Sequence, residues 1–580
     1  MSSPNTFHFV MIKPSHYDDE GYVIQWRVSS IPSNSMASIY GIAEEARRTH
    51  PLGPGVDIRL EAYDETNTRI VPERIVARLA GPHSRILVAL VGVQSNQFPR
   101  AVDLARRFLA CGAQVCIGGF HVSGCVSMLD DTPPEIADAQ AAGISLFAGE
   151  IEGRIEGLWG DAWRDELEPL YDYMNDLPGL EGQPTPWLPR EVITRNSGSR
   201  ASFDAGRGCP FKCSFCTIIN VQGRKSRFRT VDDIEKIIRR NQQQGIANFF
   251  ISDDNFARNK MWEAIFDRLI SLKEEEGLEI HVVIQVDTQC HKIKGFIEKA
   301  GRAGVNRVFI GMESINPDSL KSAQKRQNKI GEYRTMLQAW NDVGALTYAG
   351  YIIGFPNDTE KSIERDIKII QRELPIDLLE FFILTPLPGS QDHKELWDEG
   401  VPMERDLNLY DTFHVTTAHA RMTEAELQRA YDRAWETYYT PAHLETVLHR
   451  AKIRGYDPWN MVMKMFSFCA PPKFEAVHPL DGGLWRHKHR RDRRPSLPIE
   501  SAFLFYPKFW LGAAVKYGRA AWLFWSYWRT YRRVMKADSH LHEDVALTRD
   551  FGADETAFEL PTGSILRQRP AVEASRASEA

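Results

Sequence analysis

Two long stretches of the chain alternate short apolar runs with amphipathic segments. Between residues 7 and 155 the apolar runs are FHFVMI, VDIRLEAY, RILVALVGV, QVCIGGF and ISLFAGE. Between about 200 and 400 they are ANFFISDD, IHVVIQVD, NRVFIGMES, TYAGYIIGF and DLLEFFILTP, separated by helical stretches. This alternation predicts an α/β fold with parallel sheets. We expect an N-terminal Rossmann-like doubly wound domain, then a full or partial (β/α) barrel and a helical C-terminal region.

The same pattern predicts the domain organisation. In chain order we expect a Rossmann-like domain, an extended linker, the barrel, a helical domain, a basic and aromatic amphipathic segment and a disordered tail: 1–155, 156–198, 199–400, 401–480, 481–540 and 541–580. The prolines of the linker favour an extended crossing, and the tail is low in aromatic residues. In the helical domain, the T-x-x-E sequence from Thr423 to Glu426 is a capping box that predicts the start of a helix.

Composition narrows the class of protein. The chain has 580 residues, a net charge of −6, and eight cysteines. The nearly balanced charge argues against general electrostatic capture of nucleic acid. The cysteines are too few for a disulfide scaffold, and the first residues lack the basic and apolar regions of a secretory signal. No stretch reaches about 18 uninterrupted apolar residues, as a membrane span would need. We therefore expect a cytoplasmic protein.

Three cysteines give the strongest chemical signal. Cys209, Cys213 and Cys216 stand in RGCPFKCSFC, a C-x3-C-x2-C spacing just ahead of the barrel strands. Three thiolates on one loop can hold three corners of a metal cluster and leave a fourth coordination position open. A structural zinc site would need a fourth ligand, and no CxxC or His pair follows within about twenty residues. A structural metal loop or incidental cysteines are the alternatives.

The spacing, with Phe215 just before the last cysteine, resembles the radical S-adenosylmethionine (SAM) superfamily. The resemblance covers about 200 to 400. It implies that the three cysteines bind a 4Fe-4S cluster whose fourth iron is chelated by the amino and carboxylate groups of SAM. Reduction, by an electron donor such as flavodoxin or ferredoxin, would split SAM into methionine and a radical that abstracts a substrate hydrogen. A redox sensor that uses the cysteines without turnover is the alternative outside the enzymes.

Acidic residues at the ends of the predicted barrel strands are candidates for the same site. The active site of a (β/α) barrel lies at the carboxyl ends of its strands. The residues expected on this functional rim are Asp253, Asp254, Asp287, Glu313, Ser314 and Glu380. Asp253 and Asp254 end the second strand, where the family often receives the SAM amino group. Their negative charge would suit a cationic ammonium. The alternative for each acid is an ion pair on the rim, and for Glu380 this alternative is favoured.

Other segments resemble further parts of the family's SAM site. Gly311, Glu313 and Ser314, in GMES, are similar to the segment that contacts the SAM ribose or carboxylate. Gly354, in GYIIGFP, resembles the motif that packs along adenine. The basic residues of GRKSRFRT follow the cysteines, and one of them could face the SAM carboxylate or an anionic substrate. A solvated charge run is the favoured alternative.

The first domain suggests a branch of the family. Gly118 and Gly119 follow a buried strand, where ligands of open α/β sheets bind, although they could simply shape a tight turn. With FAGEIEGR, the domain resembles the cobalamin-binding domain of one branch. AGEIEG replaces that branch's usual GEGE-like run, and no D-x-H-x-x-G segment offers a lower histidine ligand. If cobalamin binds, methylation of an unactivated carbon is expected. If not, cyclisation, rearrangement or transfer of another SAM fragment is expected.

Residues 507–536 form a last candidate element. We expect a helix that begins with Pro507 in its first turn. Its polar stripe is narrow and cationic, and the rest of its surface is rich in aromatic side chains, a pattern typical of helices at a membrane interface. Peripheral contact with the inner face of the membrane would favour a lipid-like substrate over another small molecule. A helix buried against the barrel or between subunits is the alternative.

Overall fold

The first part of the chain folds around one parallel sheet. The computed structural model describes residues 5–325, 328–539 and 544–548. The strands here are β1 (Asn5–Lys13), β2 (Gln25–Ser29), β3 (Val56–Asp64), β4 (Ser84–Leu90), β5 (Gln114–Gly118), β6 (Ser145–Ala148) and β7 (Leu170–Asp172). The helices are α1 (Asn34–Ala46), α2 (Pro72–Leu79), α3 (Phe98–Ala110), α4 (Phe120–Met128), α5 (Pro134–Ala141), α6 (Ile155–Arg164) and α7 (Arg190–Ile193).

This sheet is doubly wound. Its six strands run parallel in the order β3-β1-β4-β5-β6-β7, with β1 between β3 and β4. Successive side chains of β1 face opposite sides, because a strand alternates its side chains. Phe7 and Phe9 pack into the core with α1 and α6, whereas Val10 and Ile12 pack into the core with α2 and α3. The Rossmann-like prediction is confirmed.

The segment expected as an extended linker is partly regular. Within 156–198, α6 packs on the first sheet and β7 pairs with β6 as its edge strand. Trp159 is fully buried against Phe7 and Phe9, and this apolar anchor explains why the helix stays on the sheet. The prediction of an extended crossing is therefore wrong for α6 and β7. It describes the chain between β7 and α7, which contains the prolines.

The second sheet belongs to the barrel region. Its strands, with the short hairpin β9–β10, are β8 (Arg200–Phe203), β9 (Gly206–Arg207), β10 (Arg227–Phe228), β11 (Asn248–Ile251), β12 (His281–Val286), β13 (Val305–Glu313), β14 (Leu346–Ile353) and β15 (Leu378–Ile383). The helices are α8 (Ile218–Val221), α9 (Val231–Gln243), α10 (Trp262–Glu274), α11 (Phe296–Arg302), α12 (Pro317–Ser322), α13 (Tyr333–Asp342), α14 (Glu360–Glu373) and α15 (Gln391–Asp398).

These strands form a partial barrel. Six of them run parallel in the order β15-β14-β13-β12-β11-β8, and within the described ranges no ladder joins β15 to β8. Along β13, Val308, Ile310 and Met312 are buried against the surrounding helices. The alternate positions, such as Phe309 and Glu313, are only half-buried and face the barrel interior. The inner face is therefore open to a ligand, and its carboxyl ends point toward the first domain.

The remaining chain is helical and returns to the first domain. Its elements are α16 (Glu424–Tyr438), α17 (Pro441–Ile453), α18 (Pro458–Ala470), β16 (Gly483–His487) and α19 (Ala502–Lys536). The capping box from Thr423 to Glu426 begins α16 as expected. Strand β16 pairs antiparallel with β2 of the first domain. The segment expected as one amphipathic element, 481–540, therefore contains a strand as well as a helix.

Helix α19 begins earlier than expected. It starts at Ala502, so Pro507 lies inside the helix instead of in its first turn. The missing proline N–H affects only the second turn, where the exposed backbone carbonyl can bind water. No helix in the described residues is both long and apolar enough to cross a membrane. Of the predicted disordered tail, 544–548 is ordered, because Asp544 pairs with buried Arg450 at 2.5 Å. The rest of 541–580 lies outside the described residues.

Candidate cofactor site at the interface of the two sheets

The three candidate cysteines share one short loop between β9 and α8. The amide of Cys209 donates to the carbonyl of Gly223, and that of Cys216 donates to the carbonyl of Cys213. Ser214 ties the loop to the barrel, since its N–H donates to Ala323 at 3.3 Å and its carbonyl accepts from Asp392 at 3.1 Å. The loop is therefore anchored on both sides between its second and third cysteines.

The chain just before the first cysteine depends on a glycine. Gly208 has a φ of +88°, and a Cβ there would lie 2.5 Å from the carbonyl oxygen of Lys225. Only glycine fits such a close approach in the left-handed region. The position of Cys209 therefore depends on Gly208.

The thiols fit the donor set of an iron–sulfur cluster. Burial, with the charge of Asp254 and the other thiols, raises the pKa of Cys209 and brings that of Cys216 to about 12. None of the eight cysteines is in a disulfide. The other five lie elsewhere, in the first domain or in cores such as that of Cys290, so no fourth thiol joins the loop. A thiol becomes a ligand when it loses its proton and a metal compensates the charge of the resulting thiolate. Three such ligands leave one position of the cluster open.

Opposite the cysteines lies an ion pair between Lys325 and Glu313. Lys325 is buried, and its Nζ lies 5.7 Å from the ring centre of Phe215. Burial alone would lower the pKa of Lys325, but the negative charges of Glu313, Cys213 and Cys216 raise it overall. Lys325 was not a candidate in the sequence. Its signal would have been the basic run KRQNK, which begins at Lys325 shortly after the helix that follows GMES.

Residues at the end of β13 shape this pair. Glu313 has a φ of +65°, which is rare for a residue with a side chain and costs backbone strain. A Cβ on Gly311 would lie 3.0 Å from the Glu313 carboxylate and 3.2 Å from Lys325 Nζ. Gly311 therefore makes room for the ion pair. Ser314 is buried and turned away, with its hydroxyl accepting from the amide of Asn316 at 3.0 Å.

The two neighbouring acids at the end of β11 have different environments. Asp253 is buried and accepts hydrogen bonds from the amides of Ala205 and Gly206 at 2.7 and 2.8 Å and from Asn259 at 3.0 Å. It braces the ends of β8 and β11. Asp254 faces the barrel interior with its side chain accessible, yet the surrounding protein desolvates it and raises its pKa to about 7. Of the two, Asp254 is the one near the thiols.

The other rim candidates also separate. Asp287 is buried in an ion pair with Arg258 at 2.7 Å. Glu380 is the third residue of β15 and lies in the first half of that strand, so its placement on the rim is wrong. Its expected ion pair is also absent, because both carboxyl oxygens are buried without a hydrogen-bond partner in the described part of the chain. The amide of Gly354, at a φ of +107°, donates to Asp358 at 3.0 Å.

Part of the basic run is structural. Arg227 donates to Glu150 at 2.7 Å, and the fully buried Arg229 pairs with Asp204 at 3.3 Å. The favoured expectation of a solvated charge run is wrong for these two residues. Arg224 and Lys225 remain exposed.

A buried ion-pair network joins the first domain to the cysteine loop. Arg207, two residues before Cys209, pairs with Glu150 at 2.8 Å and with Glu152 at 2.7 Å. Burial would raise the pKa of Glu150, but Arg227 and Arg207 lower it overall. Both acids belong to AGEIEG, the segment that departs from the GEGE-like run. Sequence reasoning missed this contact, whose signal was a pair of acids after a strand and an arginine before the first cysteine.

A cavity of about 150 Å³ lies at the carboxyl ends of the first sheet. Its walls include Gly92, Gly118, Gly119 and Gly149 from the first domain and Arg207 from the second. Gly119 has a φ of +151°, and a Cβ there would lie 2.1 Å from the amide nitrogen of Val93. Apolar side chains form much of the lining, and among the described residues no histidine contributes to it. This is the usual ligand position of an open α/β sheet, and the lining suits contact with a cofactor held without a histidine ligand.

Residues 205–370 match the profile of the Radical SAM superfamily. The chain contains a radical SAM domain. The cysteine loop begins this domain, and β11 to β14 lie within it. The resemblance based on the cysteine spacing is therefore confirmed.

The radical SAM domain and its neighbours resemble named proteins. The chain is 29% identical over 327 residues to bacteriochlorophyllide d C-12(1)-methyltransferase of Chlorobaculum tepidum, covering 54% of this chain and 66% of that protein. It is 25% identical over 342 residues to hopanoid C-2 methylase of Rhodopseudomonas palustris, covering 58% and 61%. The chain thus spans less than two thirds of either relative.

Solved structures share the fold beyond the radical SAM domain. The methyltransferase TsrM from Kitasatospora setae, with cobalamin and a [4Fe-4S] cluster bound, superposes with a TM-score of 0.55 at 12% identity, covering 80% of this chain and 99% of that chain. The cobalamin-dependent enzyme OxsB, with aqua-cobalamin bound, gives a TM-score of 0.51 at 13% identity, covering 93% and 81%. The order of a Rossmann-like domain, a partial barrel and a helical C-terminus is therefore a known architecture.

Proposed function

We propose that this chain is a radical SAM enzyme that uses a 4Fe-4S cluster, SAM and cobalamin to methylate an unactivated carbon of a small molecule. When bound, these groups supply a one-electron reductant, a source of a 5′-deoxyadenosyl radical and a methyl carrier. The observation that carries the proposal is that the cysteine loop and the glycine-lined cavity meet at one interface, joined by Arg207. An electron donor such as flavodoxin or ferredoxin belongs to the proposal.

The residues around the loop have distinct roles in this proposal. Cys209, Cys213 and Cys216 would hold the cluster, with the open metal position left for SAM. Asp254 offers a negative charge to the SAM ammonium, and Lys325 offers a positive charge to its carboxylate. Because Glu313 holds the Lys325 ammonium, it would position that residue. Phe215, Gly311 and Gly354 would shape the space beside them.

The relatives support methylation in particular. Bacteriochlorophyllide d C-12(1)-methyltransferase and hopanoid C-2 methylase both carry methyl transfer in their names. The half-buried aromatic positions on the inner face of the barrel suit a substrate with an apolar part. TsrM and OxsB, which share the fold, bind cobalamin. Gly118 and Gly119 would face the cobalamin of this chain.

The decisive experiment measures cofactors and products together. Protein reconstituted anaerobically with iron, sulfide and cobalamin, then given dithionite and SAM, should release 5′-deoxyadenosine and retain a corrinoid detectable by absorbance and mass. SAM cleavage by protein without corrinoid would instead indicate cyclisation, rearrangement or transfer of another SAM fragment. Failure to cleave SAM at full cluster loading would favour a redox sensor.

We also propose that α19 contacts a membrane surface. At 35 residues, and about 1.5 Å per residue, it is roughly 52 Å long, yet few of its side chains are buried. Phe503 is 92% exposed, and Trp510, Leu511 and Trp522 are 66 to 70% exposed. Its charged residues are all cationic: Lys508, Lys516, Arg519, Arg529, Arg532, Arg533 and Lys536. Lys508, Lys516 and Arg533 pair with acids of neighbouring elements, whereas no such pair is found for the other cations among the described residues. An exposed aromatic face with such cations suits the interface of an anionic bilayer.

Vesicle flotation tests the membrane contact. The full chain should float with vesicles that contain phosphatidylserine, and less with vesicles of phosphatidylcholine alone. The double variant Trp510→Ser, Leu511→Ser should lose most of this binding, because both side chains are exposed and their loss should leave the fold intact. Equal recovery of wild type and variant in the soluble fraction at low salt would overturn the contact.

A further inference from the structure

Three cationic side chains lie in the N-terminal half of the barrel without an acidic partner. Arg200 begins β8, Arg307 lies on the inner face of β13, and Lys464 lies on α18. Helix α18 faces the barrel here, since Phe468, one turn after Lys464, contacts the ring of Tyr348 at 6.2 Å. Throughout the described ranges none of the three cations forms an ion pair, and Arg200 Nε is buried without a hydrogen-bond partner.

The three charges act on one another. Burial and then the charge of Arg307 lower the pKa of Arg200 to about 10. Burial and then the charges of Arg307 and Arg200 lower the pKa of Lys464 to about 8. Tyr348 lies among them, because both arginines also affect its pKa. Like charges held together in a partly desolvated place destabilise the fold unless an anion compensates them.

The buried carboxyl group of Glu380 does not compensate these charges. Glu380, on the inner face of β15, influences the pKa of Tyr348 and is itself buried. Burial alone raises its pKa to about 8, so the group is largely protonated at neutral pH and adds little negative charge. Among the residues that the structure describes, no carboxylate therefore pairs with the cationic group formed by Arg200, Arg307 and Lys464.

Half-buried aromatic side chains lie on the inner face of the barrel on the side of these cations that leads toward the cysteine loop. Phe309 packs against Tyr348 at 5.3 Å, and Phe382 stacks on His478 at 4.7 Å. The rings of Phe309 and Phe382 lie directly over Gly350, because a Cβ there would lie 3.0 Å from Phe309 and 3.2 Å from Phe382. Arg307 and Glu313 face the same interior six residues apart, or roughly 20 Å along the strand at about 3.3 Å per residue.

We propose that the barrel binds an amphipathic substrate whose anionic group is held by Arg200, Arg307 and Lys464. Its apolar body lies against Phe309 and Phe382, and its other end reaches the cysteine loop. The position of the reacting carbon rests on the proposed function, whereas the anion site stands on the cations themselves. A carboxylate and a phosphate share the required chemistry, since both accept charge-assisted hydrogen bonds from arginine and lysine.

Chemical labelling of Lys464 tests the anion site in the full chain. A lysine with a lowered pKa reacts readily at pH 8, so reductive methylation followed by mass spectrometry should label Lys464 faster than the exposed control Lys473. Anilinonaphthalene sulfonate, an aromatic anion, should protect Lys464 and not Lys473. Absence of protection would overturn the site. Equal protection by inorganic phosphate alone would retain an anion site and overturn the amphipathic substrate.

A pair of dyes separates charge from apolar contact. Arg307→Gln and Lys464→Gln should each weaken binding of anilinonaphthalene sulfonate about tenfold, the effect of losing one charged hydrogen bond, and should change binding of neutral phenylnaphthylamine less than twofold. Apolar uptake by the exposed face of α19 affects both dyes and cancels in the comparison. Lys473→Gln is the matched control and should change neither. Equal effects on both dyes would overturn the proposal.

These measurements are independent of turnover. Neither labelling nor dye binding requires the cluster, SAM or reduction. A protein that shows protection but never releases 5′-deoxyadenosine would keep the anion site and lose the proposed function. A protein that cleaves SAM while both variants bind the two dyes like wild type would keep the function and lose this substrate class.

Discussion

The two sheets offer opposite kinds of surface at their carboxyl ends. The first sheet ends in Gly92, Gly119 and Gly149, which line a cavity and leave no room for side chains of their own, because a Cβ would meet Ser35, Val93 or Tyr173. The barrel sheet ends in side chains that carry thiols and charges, such as Cys213 and Asp254. A cavity lined by glycines is lost when a side chain is added, whereas a site formed by thiols and charges is lost when those groups are removed. Substitutions at the two sheets are therefore expected to act in opposite ways.

The largest effect is expected from removing one thiol. Cys213→Ala, like the same change at Cys209 or Cys216, should abolish cluster binding and all SAM cleavage, because three thiolates are needed to hold a cluster with one open iron. Iron content and 5′-deoxyadenosine release measure it. Cys111→Ala is the matched control in the first domain and should keep both. A single cluster-cysteine variant with normal iron and turnover would contradict the assignment.

The second effect is expected from adding one methyl group to the first sheet. Gly119→Ala places a Cβ 2.1 Å from the amide nitrogen of Val93, so we expect about 3 kcal/mol of lost stability and loss of corrinoid binding. Gly112→Ala is the control, since it has a φ of +84° but nothing within 4 Å, and should cost about 1 kcal/mol. Urea unfolding and corrinoid retention measure the pair. Equal costs would show that the close approach is unimportant.

The third effect separates two acids that are adjacent in sequence. Asp254→Asn should weaken SAM binding about tenfold with stability nearly unchanged, because its carboxylate faces the interior and is not part of the bracing network. Asp253→Asn should cost about 2 kcal/mol of stability, since its new amide group meets Asn259 as a second donor. Equilibrium dialysis of SAM and thermal unfolding measure them. Unchanged SAM affinity in Asp254→Asn would remove that residue from the site.

The contrast also explains what the sequence could predict. Short apolar runs separated by amphipathic segments predicted both sheets, because parallel strands that are covered by helices are almost continuously apolar, and the cysteine loop was visible as a spacing within one segment. Lys325 and the pairing of Glu150 with Arg207 were not visible, since they join residues from separate elements. Glu380 was expected at the end of a strand but lies a few residues earlier. A difference of that size along a strand determines whether a carboxyl group lies at the rim or deep in the barrel.

The smallest effect is expected from removing a hydroxyl group that belongs to the barrel but does not face its interior. Ser314 ends the GMES segment, yet it is 1% exposed, and its hydroxyl accepts a hydrogen bond from the amide of Asn316 at 3.0 Å. Ser314→Ala should therefore cost about 1 kcal/mol of stability, the usual worth of one buried neutral hydrogen bond, and leave SAM affinity within about twofold. Urea unfolding and SAM dialysis on the same preparation distinguish the two roles. A tenfold loss of SAM affinity with unchanged stability would return Ser314 to the binding site. It would also show that SAM binding depends on side chains that do not face the barrel interior.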